Sequence, residues 1–187
     1  MVPRKRTTTQ RNADTLTDGV VTLRAWRPAD APAVFDACQD PLIARHTYVP
    51  QPYALADAER FIGARTRARE TGSTAVGFAI VDPATDRVLG SISCLPLDHD
   101  RAEFSYWLAP WARGRGVATR ALRLIADWTL ATTNAIRLEL YTDVDNPASG
   151  RVAERAGFVR EGVRRNWERG RDGRPIDVIF YVRIREY

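Results

Sequence analysis

The sequence predicts a mixed α/β layer fold of the α+β class, with a twisted, mostly antiparallel sheet of about seven strands and about four flanking helices. Three observations lead to this fold. Several segments alternate apolar and polar residues as strands do, and three of them follow one another with only turn residues between. Further along the chain, helical patterns alternate with strand-like segments, which is typical of a βαβ unit. We expect its crossover to be right-handed.

The chain of 187 residues is 44% hydrophobic, which suits a single core. Residues 1–19 are polar and basic and predict a mobile tail. No repeat or linker interrupts the remainder, so residues 20–187 are expected to form one domain.

The first half of that domain begins with a strand. The alternation of V-V-T-L-R-A-W-R over residues 20–27 predicts it. A short helix is expected over 28–40, where Pro28 stands near the start. A second helix is expected from Ala54 to Thr71, because its apolar residues recur at helical spacing until Gly72 stops it.

The middle of the chain predicts three successive strands over 73–81, 87–95 and 101–108. The turn sequence D-P-A-T-D separates the first two. A helix follows from about 115 to 131, and a strand over 135–142.

The last helix carries clear boundary signals. Asn146 is expected as its N-cap, Pro147 as its first residue and Gly157 as its stop. The arginine-rich residues 160–174 are expected to form a loop, followed by a final strand over 177–184.

The composition excludes several classes of protein. No apolar run is long enough to span a membrane and no secretory signal is visible, so a soluble cytoplasmic protein with no membrane partner is expected. Cys38 and Cys94 stand alone and are expected to be free buried thiols. With only His46 and His99 as histidines, no metal site is expected.

The charge of +5 comes almost wholly from arginine, and Lys5 is the only lysine. Such a balance suits nucleic acid or phosphate-bearing ligands. Because nucleic-acid motifs are absent and 23 acidic residues are interspersed, a nucleic-acid partner is not expected. A homodimer is left open.

The segment W-A-R-G-R-G-V-A-T-R, from Trp111 to Arg120, joins a strand to a helix through two glycines and predicts an anion site. Free N–H groups converge at a helix start, and Gly114 and Gly116 allow an oxygen to approach the main chain. The spacing matches neither a P-loop nor a Rossmann fingerprint.

This segment also carries a resemblance. R-G-R-G-V-A, from Arg113 to Ala118, is similar to the [Q/R]-x-x-G-x-[G/A] motif of the GCN5-related N-acetyltransferases (GNAT). L-R-A-W-R-P-A-D-A, E-F-S-Y-W-L-A-P-W, V-D-N-P-A-S-G-R-V-A-E-R-A-G-F and R-D-G-R-P-I-D-V resemble the RimJ/RimL-like branch, which acetylates ribosomal-protein N-termini. The resemblance extends from about Val20 to Glu186.

The resemblance implies that acetyl-CoA is the co-substrate. Its diphosphate would be held mostly through main-chain N–H groups, by Arg113, Gly114, Arg115, Gly116, Val117 and Ala118. Thr119 would add a hydroxyl. The pantetheine arm would lie along Trp107, Leu108 and Ala109, with a further contact from Asn146.

The resemblance also implies direct transfer to the amine, which makes Cys94 an improbable acyl carrier. Two carboxylates, Glu103 and Glu168, compete for the role of general base, and either could instead be a surface ion pair. Ser149 would stabilise the departing thiolate and lie near the coenzyme. Relatives outside the branch use a tyrosine for that task, and none is evident nearby in the sequence.

The function expected from all this is acetyl-CoA-dependent N-acetyl transfer to a protein or peptide α-amine. A small-molecule amine, such as an antibiotic or a biosynthetic intermediate, is the nearest alternative acceptor. A non-catalytic acyl-CoA-binding or RNA-associated module is the alternative of another class.

Overall fold

The structure, a computed structural model, describes residues 15–186. Its eight strands are β1 (Thr15–Thr17), β2 (Thr22–Arg24), β3 (Val76–Val81), β4 (Val88–Leu97), β5 (Arg101–Leu108), β6 (Arg137–Asp143), β7 (Val159–Arg169) and β8 (Pro175–Ile184). Its five α-helices are α1 (Ala31–Cys38), α2 (Pro41–His46), α3 (Leu55–Glu70), α4 (Val117–Thr132) and α5 (Pro147–Arg155). Two short 3-10 helices, Pro28–Asp30 and Pro110–Ala112, precede α1 and α4.

All eight strands belong to one sheet, in the order β1-β2-β3-β4-β5-β6-β8-β7. Every neighbouring pair is antiparallel except β5 and β6, which are parallel. The α+β class and the mostly antiparallel sheet are therefore confirmed.

The single parallel pair is short and gives the sheet its opening. β5 pairs with β6 only from Arg101 to Glu103, opposite Arg137 to Glu139. Beyond that point β5 stays paired with β4 up to Leu108, while β6 stays paired with β8 up to Asp143. The two strands therefore diverge toward their carboxyl ends, and a gap opens in the middle of the sheet.

Helices cover both faces of this sheet because each face carries a separate apolar cluster. On one face α4 and α5 pack through residues such as Leu122, Ile125 and Ala153. On the other face α1 and α3 pack through residues such as Val34 and Ile62. The helices on both faces thus support the strands on either side of the gap between β5 and β6.

Several predicted elements differ from the structure. The sheet has eight strands rather than about seven. Besides the six strands located in the sequence, Thr15–Thr17 of the predicted tail pair with β2, and Val159–Arg169 pair with β8. The tail residues before Thr15 lie outside the described part. There are five helices rather than about four, because α2 was not predicted. The prediction of a loop over residues 160–174 was wrong, since Val159–Arg169 form β7 and pair with β8.

The remaining boundaries lie close to expectation. Helices α3 and α4 match the two long predicted helices within about two residues at each end. No helix in residues 15–186 is long and apolar enough to cross a bilayer.

Candidate active site

A cavity of about 1040 Å³ lies where β5 and β6 diverge. Strands β4, β5 and β6 form its floor, and α3, the α2–α3 loop, the start of α5 and the end of β7 form its walls. It brings together most of the side chains that were predicted to act: Glu103, Trp107, Leu108, Arg113, Gly114, Ala118, Asn146, Ser149 and Glu168.

The main chain of β5 offers hydrogen-bonding groups to this cavity. The N–H of Ala109 donates to the carbonyl of Leu89, at 2.9 Å. Because bonded and non-bonded pairs alternate along an antiparallel ladder, Trp107 also bonds toward β4, whereas Tyr106 and Leu108 turn their N–H and C=O groups toward the gap.

Trp107, Leu108 and Ala109, the residues expected along the pantetheine arm, therefore differ in whether their main-chain groups are free to bind it. The carbonyl of Ala109 already accepts from Ala112, and its N–H is also used, so Ala109 has no free N–H to offer. Leu108, with Tyr106 beside it, is the residue whose main chain faces the opening.

The glycine turn has a backbone conformation that glycine adopts more readily than other residues. Gly114 and Gly116 both have φ +74°, in the left-handed region that favours glycine. A Cβ atom built on either residue would meet no atom within 4 Å, so the space in front of both is open.

Helix α4 starts directly after this turn. Gly116 is its N-cap, and no side chain caps it. The first N–H groups of the helix, on Val117, Ala118 and Thr119, have no acceptor within the helix. They lie at the positive end of the helix dipole. An anionic group such as a diphosphate fits these donors and this open space.

The side chain of Arg113 is not free to reach a phosphate. Its two terminal nitrogens bind the carboxylate of Asp40 at 2.7 and 3.1 Å, and one of them also donates to the carbonyl of Leu108 at 3.2 Å. Asp40 in turn caps α2 by accepting from Leu42 and Ile43. Arg113 thus ties the turn to α2, while Arg115 is exposed at the turn itself.

Helix α5 begins as predicted, with Asn146 as N-cap and Pro147 at its first position. The side chain of Asn146 accepts from the N–H of Ser149, at 3.2 Å. A Cβ atom on Gly150 would lie 2.5 Å from the hydroxyl of Tyr181, so glycine there lets α5 pack close to β8. This packing positions Ser149 at the edge of the gap.

Tyr106 is a residue of the site that sequence reasoning missed. Its hydroxyl lies 2.8 Å from the hydroxyl oxygen of Ser149, so a tyrosine does lie beside this serine, although none was evident near it in the sequence. Burial raises the pKa of Tyr106 to about 12, partly offset by the bond to Ser149, so the phenol keeps its proton. The available signal was the alternation of β5, which puts Phe104 and Tyr106 on the face covered by α5.

Glu103 lies on β5 at the point where β5 and β6 separate, half-buried. Burial raises its pKa above 4.5, and the nearby carboxylates of Glu139 and Glu168 raise it further, against a lowering by Arg101. A carboxyl group in this setting resists ionisation and accepts a proton more readily than an exposed one.

Glu168 reaches the same cavity from the other side. One of its carboxylate oxygens accepts from the hydroxyl of Tyr48 at 2.6 Å and from that of Tyr141 at 3.4 Å. Burial first, and then the charge of Glu168, raise the pKa of Tyr141 to about 12, so this phenol stays a donor. Glu168 is thus held by two O–H donors.

Glu168 lies on β7 rather than in the loop that was predicted over residues 160–174. The strand is irregular there: Asn166 has φ +51° and its N–H donates to Asp177, and the register between β7 and β8 shifts. Such a bulge re-aims the side chains that follow it. The neighbouring Trp167 packs edge-on against Phe180 and is otherwise exposed.

Two further predictions concern chemistry outside this cavity. Cys38 and Cys94 are both buried, and neither forms a disulfide with another described residue. Burial raises the pKa of Cys38 to about 11, against a lowering by the bond with Tyr53, so the thiol stays protonated. Within residues 15–186 no group of three or more His, Cys, Asp or Glu side chains could hold a metal ion.

The split sheet, the glycine turn and the paired carboxylates define an acyl-transfer class of enzyme. Residues 21–159 match the family model described as acetyltransferase (GNAT) domain. The chain therefore belongs to the GNAT acetyltransferase family, and it is an acyltransferase with acetyl-CoA as donor.

Relatives agree with this assignment. The uncharacterized N-acetyltransferase p20 of Bacillus licheniformis is 27% identical over 177 residues, covering 93% of this chain and 98% of that protein. The ribosomal-protein-serine acetyltransferase of Escherichia coli K12 is 33% identical over 101 residues, covering 53% and 56%.

A solved structure has the same fold. RimJ of Mycobacterium smegmatis, in complex with CoA-disulfide, superposes with a TM-score of 0.80 at 21% identity, covering 93% of this chain and 88% of that one. The family model thus confirms the resemblance to the GNAT family, and this structure shares its fold.

Proposed function

We propose that this protein transfers the acetyl group of acetyl-CoA directly to the α-amine of a protein or peptide N-terminus. The observation that carries the proposal is the single cavity in which two carboxylates, Glu103 and Glu168, face the gap beside Ser149 and the glycine turn. One open space thus adjoins the groups needed to bind a thioester, deprotonate an amine and receive a thiolate.

The co-substrate has a ready path in this cavity. Main-chain N–H groups from Gly114 to Thr119 would hold the diphosphate, as the open backbone and the helix dipole favour. The pantetheine arm would pair with the main chain of β5 at Tyr106 and Leu108, in the place where a neighbouring strand would otherwise pair. Arg113 supports this arrangement by holding the turn, rather than by touching phosphate.

Glu103 is the better candidate for general base. An ammonium group must lose a proton before its nitrogen can attack the thioester carbonyl, and a base works best when its pKa lies near the working pH. Burial and neighbouring carboxylates move the pKa of Glu103 in that direction. We assign the removal of the amine proton to Glu103, directly or through one water.

Glu168 has a different role in this scheme. Because the hydroxyls of Tyr48 and Tyr141 donate to it, its carboxylate is suited to act as counterion for the incoming ammonium group. It would orient the acceptor while Glu103 takes the proton.

Ser149 completes the reaction at the sulfur. As the carbon–nitrogen bond forms and the carbon–sulfur bond breaks, negative charge moves to the sulfur atom. Tyr106 keeps its proton and can donate to the Ser149 oxygen, which leaves the serine hydrogen free to point at the thiolate. Tyr106 is therefore a positioning residue.

An α-amine suits such a site better than a lysine side chain does. Its unperturbed pKa of about 8 is lower than the value of about 10.4 for lysine, so less assistance is needed to expose the nitrogen lone pair. The E. coli relative named as a ribosomal-protein-serine acetyltransferase supports a protein acceptor.

Thiol release from acetyl-CoA tests the proposal. We expect peptides with free Ser or Ala N-termini to accelerate release, with acetylation at the α-nitrogen by mass spectrometry, and the same peptides with blocked N-termini to be inert. Release with small amines alone would assign a small-molecule acceptor instead. CoA binding without release for any amine would contradict catalysis and favour a sensor.

A further inference from the structure

The arginines that line the cavity differ in whether they form an ion pair with a carboxylate. Arg45, Arg60 and Arg113 each form an ion pair with an aspartate: Asp145, Asp57 and Asp40 respectively. Arg65, on α3, lines the same cavity. Within the described part of the chain no carboxylate lies within ion-pair distance of it.

Arg65 also leaves most of its donors unused. Its Nε atom is buried and has no hydrogen-bond partner among the described residues, and a terminal nitrogen donates only to the carbonyl of Phe61, at 3.3 Å. Its guanidinium carbon lies 3.5 Å from the centre of the Phe61 ring. A guanidinium has five N–H donors in a planar fork, so a carboxylate or similar anion could still bind to it.

The charge of Arg65 persists despite this setting. Burial lowers its pKa to about 10, which still leaves the side chain cationic at neutral pH. Half-burying a cation without an anionic partner costs free energy, and a bound anion would offset that cost.

A corridor of small residues connects Arg65 with the base. The side chain of Arg65 lies over Gly77 of β3, within 3.2 to 3.4 Å of where a Cβ atom would be. Gly77 pairs with Ser93 of β4, and Ser93 with Ser105 of β5, so this row of the sheet carries no large side chain. Glu103 lies two residues along β5 on the same face.

The length of this corridor follows from sheet geometry. With strands about 4.8 Å apart and residues about 3.4 Å apart along a strand, the Cα atoms of Gly77 and Glu103 are separated by about 12 Å. That is about three residues of extended peptide.

We propose that Arg65 is an anion-recognising residue of the acceptor site, selecting amines that carry a carboxylate about three residues from the reacting nitrogen. This inference rests on the proposed function and names the acceptor class within it. It disfavours polycationic amines, for which a second positive charge would face Arg65.

Matched tripeptides test this selectivity. Ser-Ala-Ala with a free carboxyl terminus and Ser-Ala-Ala-amide differ only in the anion. We expect the wild-type protein to prefer the free acid by roughly ten- to a hundredfold in kcat/KM, the range of a charge-assisted contact. In Arg65→Gln the preference for the free acid should fall to near one, mainly through loss of kcat/KM on the free acid.

Two further variants separate recognition from folding. Arg65→Lys should restore part of the preference, because it restores the charge without the planar fork. Arg67→Gln, at an exposed position of the same helix, should behave as wild type. Equal use of both tripeptides by the wild type, a preference that survives in Arg65→Gln, or no use of either would overturn the inference. Turnover of the amide alone would keep the proposed function and refute only the role of Arg65.

Discussion

At the scale of residues, the site depends on how neighbours alter individual side chains. Glu103 and Glu168 are both carboxylates in one cavity, yet their settings differ. Glu103 is half-buried near other carboxylates, and its pKa is raised. Glu168 is bound by two phenolic hydroxyls. In the proposed mechanism, environment rather than residue type separates the base from the counterion.

Glu103→Gln tests this division of roles. We expect kcat/KM to fall by roughly 10²–10⁴-fold, as for loss of a general base. In the wild type the acid limb of the pH profile should lie above pH 4.5, because the pKa of Glu103 is raised, and in the variant the limb should disappear. Glu168→Gln should raise KM for the acceptor and keep the limb. An unchanged limb in Glu103→Gln would refute the assignment.

The stability of Glu103→Gln gives an internal control. A carboxyl whose folded pKa is raised contributes stability below its unfolded pKa, and that contribution is lost as the pH rises through the folded pKa. At a pH above its folded pKa, Glu103 therefore opposes folding, and the variant should melt there at the same temperature or higher. A clear drop in Tm would instead indicate a structural role.

At the scale of elements, function depends on contacts between a strand and a helix that lie far apart in the chain. Tyr106 on β5 meets Ser149 at the start of α5, with the two hydroxyl oxygens 2.8 Å apart. The Asn146 cap and the close packing at Gly150 hold that end of α5 in place. The serine is thus oriented by three separate elements.

Coupling between these two residues can be measured. Ser149→Ala should lower kcat by roughly ten- to a hundredfold with little change in CoA affinity, and Tyr106→Phe by about tenfold. If Tyr106 acts through Ser149, the double variant should match Ser149→Ala alone. Additive effects of the two changes would contradict a shared role.

The elements that the sequence predicted and those it missed differ for physical reasons. Helices α3 and α4 bury one apolar stripe each, so their periodicity is visible. Strand β7 is an edge strand, mostly exposed and rich in arginine, because charge protects an open edge from pairing with another chain. It therefore shows no apolar alternation and reads as a loop.

The features of the site also differ in whether the local sequence predicts them. Motif spacing was enough to predict the glycine turn and the Asn146 cap, since both are local. The Tyr106–Ser149 contact, the engagement of Arg113 with Asp40 and the unpaired state of Arg65 depend on how distant segments pack. No local pattern encodes those contacts.

At the scale of the whole molecule, the proposed coenzyme site depends on the split in the sheet between β5 and β6. Because β5 and β6 pair over only three residues, the two halves of the sheet separate and expose main-chain groups of β5 to the cavity. The turn from Arg113 to Gly116 then directs the start of α4 toward the same opening. In this account, the fold supplies a coenzyme site built mainly from backbone, with acceptor groups on the far side.

Calorimetry of CoA binding to Gly116→Glu, compared with Gly173→Glu, tests that claim most directly. Both glycines have a left-handed backbone, with φ +74° and +76°, and open space around them, so the strain of substitution is matched. A carboxylate at 116 would face the diphosphate, and we predict that affinity falls by roughly a hundredfold or more there while Gly173→Glu binds as wild type. Undiminished affinity in a folded Gly116→Glu protein would contradict the account.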